Sequence, residues 1–300
     1  MITLIVGGIT TRRIFFGFFV CSCLALTACA MESVDEISDR VVHAYPRSSI
    51  QYPSWLGFHH VLAEEAKSWA AKGNLDLLFL GDSITETWRG TEGGKSPCIR
   101  CYGVPETFQE LYGHINAAAF GIARDQTPHL LWRLQNGELP PGLQVKVVVV
   151  LVGTNDIGLV PVRSYNDTAD GIRNIVAYVR ATVPEAHVVP MAILPRQRII
   201  HTAQAKTNPF RTNITAVNKI LEEDPEWSAD DHVHFLDCSR DFLDGHNAYI
   251  VRMLMPDFLH LSDSGHRKWA ECLQPLLQNW LPGFDPSEEP DAAPRTADEL

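Results

Sequence analysis

Two apolar runs decide the fold class. Leu75-Asp76-Leu77-Leu78-Phe79-Leu80 is short and closed by Gly81, and Val145 to Val152 carries four consecutive valines at 147–150. Segments this short and this rich in branched residues, with no polar alternation, read as strands buried on both faces. Ile115 to Phe120, Ala186 to Leu194 and His232 to Leu236 repeat the pattern more weakly. Helical stretches at Trp55 to Lys72, Thr127 to Asn136, Val162 to Thr182, Thr212 to Glu223 and Ser264 to Trp280 alternate with them. Alternation of this kind implies a parallel sheet of about five strands, covered by helices on both faces in a three-layer α/β/α arrangement. No internal repeat or interior linker divides it. In such sheets ligands bind at the carboxyl ends of the strands, so the residues just after each strand are the ones to inspect.

The ends of the chain fall outside that pattern. Arg12 and Arg13 precede an uncharged, mostly apolar run from Ile14 to Ala30, the layout of a secretory signal. Ala28 and Ala30 supply a small-x-small cleavage site, and Leu26-Thr27-Ala28-Cys29 also reads as a bacterial lipobox. The expectation is a signal peptide or lipoprotein leader over residues 1–30 and an N-terminal extension over 31–49. The domain then runs over 50–281 and a disordered acidic tail over 282–300. That tail ends Ala297-Asp298-Glu299-Leu300, close to an ER-retention signal, and sequons begin at Asn166 and Asn213. The protein is therefore expected to be exported, lumenal or secreted in a eukaryote, periplasmic or lipid-anchored in a bacterium. Four cysteines remain beyond the leader, Cys98, Cys101, Cys238 and Cys272, which permits two bridges, and Cys98 and Cys101 are close enough to close a small loop. Thirty-six acidic against twenty-five basic residues give a net charge of −11, which argues against a nucleic-acid partner.

Three strand-end motifs carry chemistry. After the first strand comes Gly81-Asp82-Ser83, where a helix N-terminus favours a developing oxyanion. A helix cap is the plainer reading of Asp82 or Ser83 alone. After the Val145 strand comes Gly153-Thr154-Asn155-Asp156, in which Asn155 offers a side-chain amide or simply makes an Asx-turn. Near the end, Asp257-Phe258-Leu259-His260 places a carboxylate where it can fix the tautomer of an imidazole. Taken together, a nucleophile, an oxyanion donor, a base and its orienter at one sheet edge meet the requirements of acyl transfer.

These blocks resemble the SGNH, or GDSL-type, ester hydrolases. Phe120-Gly121-Ile122-Ala123-Arg124-Asp125-Gln126-Thr127, Leu131 to Leu139, Ile193-Leu194-Pro195-Arg196 and the Trp55, His59, His60 helix are further similar to the catalytic subunits of platelet-activating-factor acetylhydrolase type I. The resemblance spans roughly residues 50 to 281 and implies the flavodoxin-like SGNH hydrolase fold. It also implies a cofactor-free serine esterase acting on short acyl, chiefly acetyl, esters. By the same resemblance Ser83 is the nucleophile, His260 the base and Asp257 its orienting carboxylate. The oxyanion hole combines the Ser83 amide, the Asn155 side chain and an amide of the second block. The family has glycine where this chain has Ala123-Arg124. The N–H survives that change, but arginine does not freely take positive φ. Arg124 is assigned as the amide donor with Gly121 supporting the turn; its guanidinium at the pocket mouth is the alternative. The segment from Gly90 to Glu106 is longer than the family's connection and is expected to roof the site.

Two other readings stand beside this one: a carbohydrate O-acetylesterase using the same groups, and a catalytically weak interaction protein on the same fold. The expected partner is a small acyl ester on a lipid or glycan, with a homodimer open. No metal is expected, since His232 and His234 have no evident third ligand.

Overall fold

The computed structural model describes residues 43–197, 208–246, 249–281 and 284. The expected leader, most of the N-terminal extension and all but one residue of the acidic tail lie outside these. Among the described residues no helix is long and apolar enough to cross a membrane.

Strands β1 (Leu75–Gly81), β2 (Ala117–Gly121), β3 (Val145–Leu151) and β4 (His187–Pro190) form one parallel sheet in the order β2-β1-β3-β4. The expected fifth strand is present only in outline. Two parallel bridges, Val188 to Val233 and Met191 to Leu236, set residues 233–236 beside β4. His232 and His234 interrupt the apolar pattern there, and the segment is too short and polar to build a full ladder. Helices follow in chain order: α1 (Trp55–Lys72), α2 (Ser83–Glu86), α3 (Val104–Tyr112), α4 (Thr127–Arg133), α5 (Thr154–Gly158), α6 (Tyr165–Thr182), α7 (Arg211–Glu222), α8 (Pro225–Ala229) and α9 (Asp263–Trp280).

The period of two along β1 and β3 divides the core. Leu78, Leu80, Val148 and Val150 face the apolar stripes of α1, α4, α6 and α7. Leu77, Phe79, Val147 and Val149 face α3 and α9. Val147 to Val150 are each at most 1% exposed, so each withdraws a whole side chain from water at about 1.5–3 kcal/mol apiece. That burial on both faces is why the strands carry no polar alternation.

Helix α1 begins at Trp55, buries Phe58, Leu62 and Ala66 on one face, and stops at Gly73, whose N–H caps Trp69. Helix α3 is absent from the sequence expectation: its N-terminus overlaps the segment read as a roof, and Pro105 stands in its first turn. Both cysteine pairs are bonded, Cys98 to Cys101 and Cys238 to Cys272. The sequon asparagines fall inside α6 and α7 rather than in the surface loops such acceptors occupy.

Strand order reverses between β1 and β3, and the crevice outside their carboxyl ends is where a ligand binds in such a sheet. The register brings Gly81 level with Gly121 and Leu151. A Cβ at Gly81 would lie 2.3 Å from the Leu151 carbonyl, and one at Gly121 would lie 2.4 Å from the Glu86 nitrogen. These glycines let α2 pack down onto the strand ends.

Candidate active site

Ser83 opens α2 directly after β1, with Asp82 as its cap: the Asp82 carboxylate accepts from the Ile84 N–H at 3.0 Å. The sequence's plainer reading therefore holds for Asp82, and Ser83 is left for other work. The fold carries the chain 177 residues further and returns the loop before α9 to the same point. There His260 Nε2 lies 2.9 Å from Ser83 Oγ. The other ring nitrogen, Nδ1, lies 2.7 Å from Asp257 Oδ2. Asp257 also accepts the backbone N–H groups of Leu259 and His260, at 3.0 and 2.7 Å. Partial burial works against the Asp257 charge, but the His260 ring and these two amides outweigh it and hold its pKa down to about 2. An ionised carboxylate accepts only, so Nδ1 carries the proton and Nε2 faces Ser83 as an acceptor.

Asn155 follows β3 on α5 and is buried. Its amide nitrogen donates to the Asp125 carbonyl at 3.0 Å and, at the longer distance of 3.3 Å, to Asp82 Oδ2. Burial pushes the Asp82 pKa up to about 7, against the lowering effect of the Ile84 N–H.

Arg124 takes the conformation that the sequence made doubtful. Its φ is +70°, a left-handed value that costs a non-glycine residue about 1–2 kcal/mol. The turn holds it there from both sides. The Ala123 N–H donates to Glu86 Oε2 at 2.6 Å, and the Asp125 N–H to the Ile122 carbonyl at 3.2 Å. Arg47 donates to the Arg124 carbonyl. The Arg124 N–H is left without an acceptor among the described residues. The Arg124 residue itself is exposed.

Beneath this turn lies a buried polar network that sequence reasoning did not anticipate. Arg133 donates to Asp125 Oδ2 at 2.8 Å, to the Gly81 carbonyl at 2.9 Å and to Glu138. Trp55 donates to Asp125 Oδ1 at 2.7 Å, and His59 meets Glu138 at 2.8 Å. Asp156 receives the Thr127 N–H at 3.0 Å and its hydroxyl at 2.7 Å. Glu86 and Arg100 were missed as well. Glu86 lies three residues after Ser83, and its spacing from the serine was the available signal. Arg100, in the Cys98–Cys101 loop, brings Nη1 within 3.1 Å of His260 Nδ1 while pairing with Glu92 at 2.5 Å. Since Nδ1 already donates to Asp257, Arg100 stands beside the ring as a positive charge rather than a hydrogen-bond partner. The expected roof segment thus reaches the histidine.

His232 and His234 both stand beside His187 of β4, with ring centroids 5.0 and 5.3 Å away. His234 meets His187 at 3.2 Å, and among the described residues the one group of three potential ligands is Cys238, Asp241 and Cys272, whose two cysteines are bonded to each other.

The sequence model of the GDSL-like lipase/acylhydrolase family matches residues 79–268, which contain Ser83, Arg124, Asn155, Asp257 and His260. Platelet-activating factor acetylhydrolase IB subunit alpha1 of Bos taurus is 31% identical over 227 residues, covering 76% of this chain and 84% of its own. The alpha2 subunit of Homo sapiens is 32% identical over the same share of this chain and 85% of its own. The crystal structure of a GDSL-like lipase from Bacteroides thetaiotaomicron superposes with a TM-score of 0.55 over 74% of this chain and 97% of that one. At 18% identity it speaks to the fold alone.

Proposed function

This chain belongs to the GDSL-like lipase/acylhydrolase family of carboxylic ester hydrolases, and from that premise we propose that it cleaves short acyl esters, acetyl first, through an acyl-enzyme on Ser83. The observation that carries the reading is the unbroken chain of contacts from Ser83 Oγ through the His260 ring to Asp257, at 2.9 and 2.7 Å. His260 Nε2 takes the hydroxyl proton as Ser83 Oγ attacks the ester carbonyl. The C–O bond to the alcohol then breaks, and the imidazolium returns that proton to the leaving oxygen. Water, activated by the same nitrogen, releases the acid and restores Ser83. Asp257 keeps the ring in its productive tautomer and stays ionised throughout.

The negative charge that forms on the carbonyl oxygen is met by the Ser83 N–H, the Arg124 N–H and the Asn155 amide. One Asn155 hydrogen is fixed by the Asp125 carbonyl. The other, weakly shared with Asp82, is the one given to the oxyanion. Gly121 serves by letting α2 and the Arg124 turn approach.

The acetyl preference rests on two supports. The relatives of about 31% identity are named acetylhydrolases. Ile84, Ile122 and Ile157, each at most 3% exposed, follow β1, β2 and β3, and we take them with half-buried Leu259 to wall a small acyl pocket. A fitting methylene gains about 0.8 kcal/mol, whereas one that overpacks costs about 1–3 kcal/mol. Export belongs to the same reading, because two disulfides suit an oxidising compartment.

The test is an acyl-length series on one alcohol, p-nitrophenol, followed by acetylated lipids and acetylated glycans. The expected result is kcat/KM highest for acetyl, lower for butyryl and negligible for octanoyl. A rise from acetyl to octanoyl contradicts the small pocket and makes the site an open groove.

A further inference from the structure

Glu86 is fully buried, and among the described residues no cation pairs with its carboxylate. It is satisfied by four donors from two separate segments. Oε1 accepts the Thr91 hydroxyl and the Gly94 N–H, both at 2.8 Å. Oε2 accepts the Gly93 N–H at 3.0 Å and the Ala123 N–H at 2.6 Å. Its own backbone rides on the turn that presents Ser83, where the Glu86 N–H donates to the Asp82 carbonyl at 2.9 Å. One side chain thus fastens the nucleophile's helix to the start of the roof segment and to the turn that carries the second oxyanion amide.

The strained residue in that turn gives the arrangement a purpose. Arg124 sits at φ +70°, and a non-glycine residue persists there only when its surroundings over-determine the backbone. Three ties do so. Glu86 holds the N–H just before Arg124, Arg47 holds the Arg124 carbonyl, and Asn155 holds the Asp125 carbonyl just after it. Freed of the first tie, an arginine relaxes toward negative φ and turns its N–H away; a glycine has no such preference.

We propose that Glu86 is a positioning residue of the oxyanion hole, which clamps the Ala123–Arg124 turn so that a non-glycine residue presents its N–H to the reacting carbonyl oxygen. This rests on the oxyanion reading above. Glu86 touches neither substrate nor reacting atoms, and acts through Arg124. The roof segment is drawn into the same clamp, so its position and that of the oxyanion amide are set together.

The test is a double-mutant cycle on the full chain, with p-nitrophenyl acetate as substrate and circular dichroism to verify folding. Glu86→Ala should lower kcat by about 10- to 100-fold, the scale of a group misplaced by an ångström, with KM nearly unchanged. The decisive comparison is the same change in an Arg124→Gly background, where the loss should shrink to about threefold or less, because glycine takes the left-handed conformation without a clamp. Equal losses in both backgrounds would overturn the proposal by making Glu86 a general packing element. So would an unchanged kcat, or a rise in KM in place of the fall in kcat. Should Glu86→Ala not fold, Glu86→Gln retains one acceptor oxygen and is read in the same cycle, with a smaller loss and the same rescue expected. Asn155→Ala separates the two failures. If it lowers kcat and Glu86→Ala does not, the clamp alone is wrong; if neither does, the oxyanion reading fails.

Discussion

Around Ser83 the polar groups are buried and tied to distant parts of the chain, whereas around His260 they are partly exposed and tied to their own neighbours. Asp125, Arg133 and Glu138 have no exposed surface, and Arg133 reaches back 52 residues to the Gly81 carbonyl. The Asp257 side chain is 38% exposed, and the donors it accepts come from residues two and three positions ahead. Beside the Ser83 contact, the Gln197 N–H donates to the Phe258 carbonyl at 2.9 Å and ties that loop to the segment after β4. The serine half is therefore positioned by the fold, at the price of burying charge. The histidine half is positioned by its own short loop, with Phe258 at φ +61° to make the bend. Damage to the first should cost folding as well as chemistry. Damage to the second should cost chemistry with little loss of stability.

Arg133→Met is the strongest way to break that contrast. It leaves Asp125 and Glu138 buried without their cation, and should destabilise the protein by about 3–5 kcal/mol in denaturant unfolding. Asp257→Asn, at a partly exposed site, should shift stability by about 1 kcal/mol or less while sharply lowering turnover. Equal stability losses would remove the distinction.

Asn155→Ala bears on the same comparison, because Asn155 is tied into the buried network and, on the proposed function, also serves the chemistry. Its kcat should fall by ~100- to 1,000-fold, the usual loss for one preorganised donor, with KM little changed. Leaving the Asp125 carbonyl unpaired should add a destabilisation of about 1–3 kcal/mol. A large KM rise at unchanged kcat would make Asn155 a ground-state binding residue instead.

A further contrast lies in pH dependence. Burial raises the Asp82 pKa to about 7, so between the ordinary carboxylate range and neutrality the folded state holds a proton that the unfolded state has released. Its contribution to stability is thus full at low pH and is lost as pH rises through about 7. The stability of Asp82→Asn relative to the parent should therefore improve as pH rises from about 4 to about 7 and then level off. Asp257, with its pKa held down to about 2, contributes in the opposite sense: stability present above the ordinary carboxylate pKa and lost on acidification. Thermal melts of both asparagine variants across that range check the opposite signs, and parallel profiles would contradict them.

How much of this was legible depended on the range of each signal. The strands were, because burial on both faces leaves an apolar run such as Val147 to Val150 that no other element explains. Helix α1 was read to its observed ends, since the Phe58, Leu62, Ala66 stripe is clear and Gly73 stops it. Ser83, Asn155, Asp257 and His260 were legible because each stands in a short motif at a strand end or loop. Glu86 and Ala123 are 37 residues apart, and Arg100 and His260 are 160 apart; neither pair leaves a periodic trace. Arg133 reads in isolation as an exposed helix residue, because pattern reasoning expects charge on a solvated face and the partners that neutralise it are not local. The doubt about Arg124 was well placed: the left-handed backbone is there, and what sustains it lies in distant residues.

Activation of Ser83 by His260 is tested by labelling the folded protein with a fluorophosphonate and mapping the modified peptide by mass spectrometry. A single adduct on Ser83 is expected, absent in Ser83→Ala and formed ~1,000-fold or more slowly in His260→Ala, since members of such a unit act together. An adduct on any other residue, or labelling undiminished by Ser83→Ala, would contradict it.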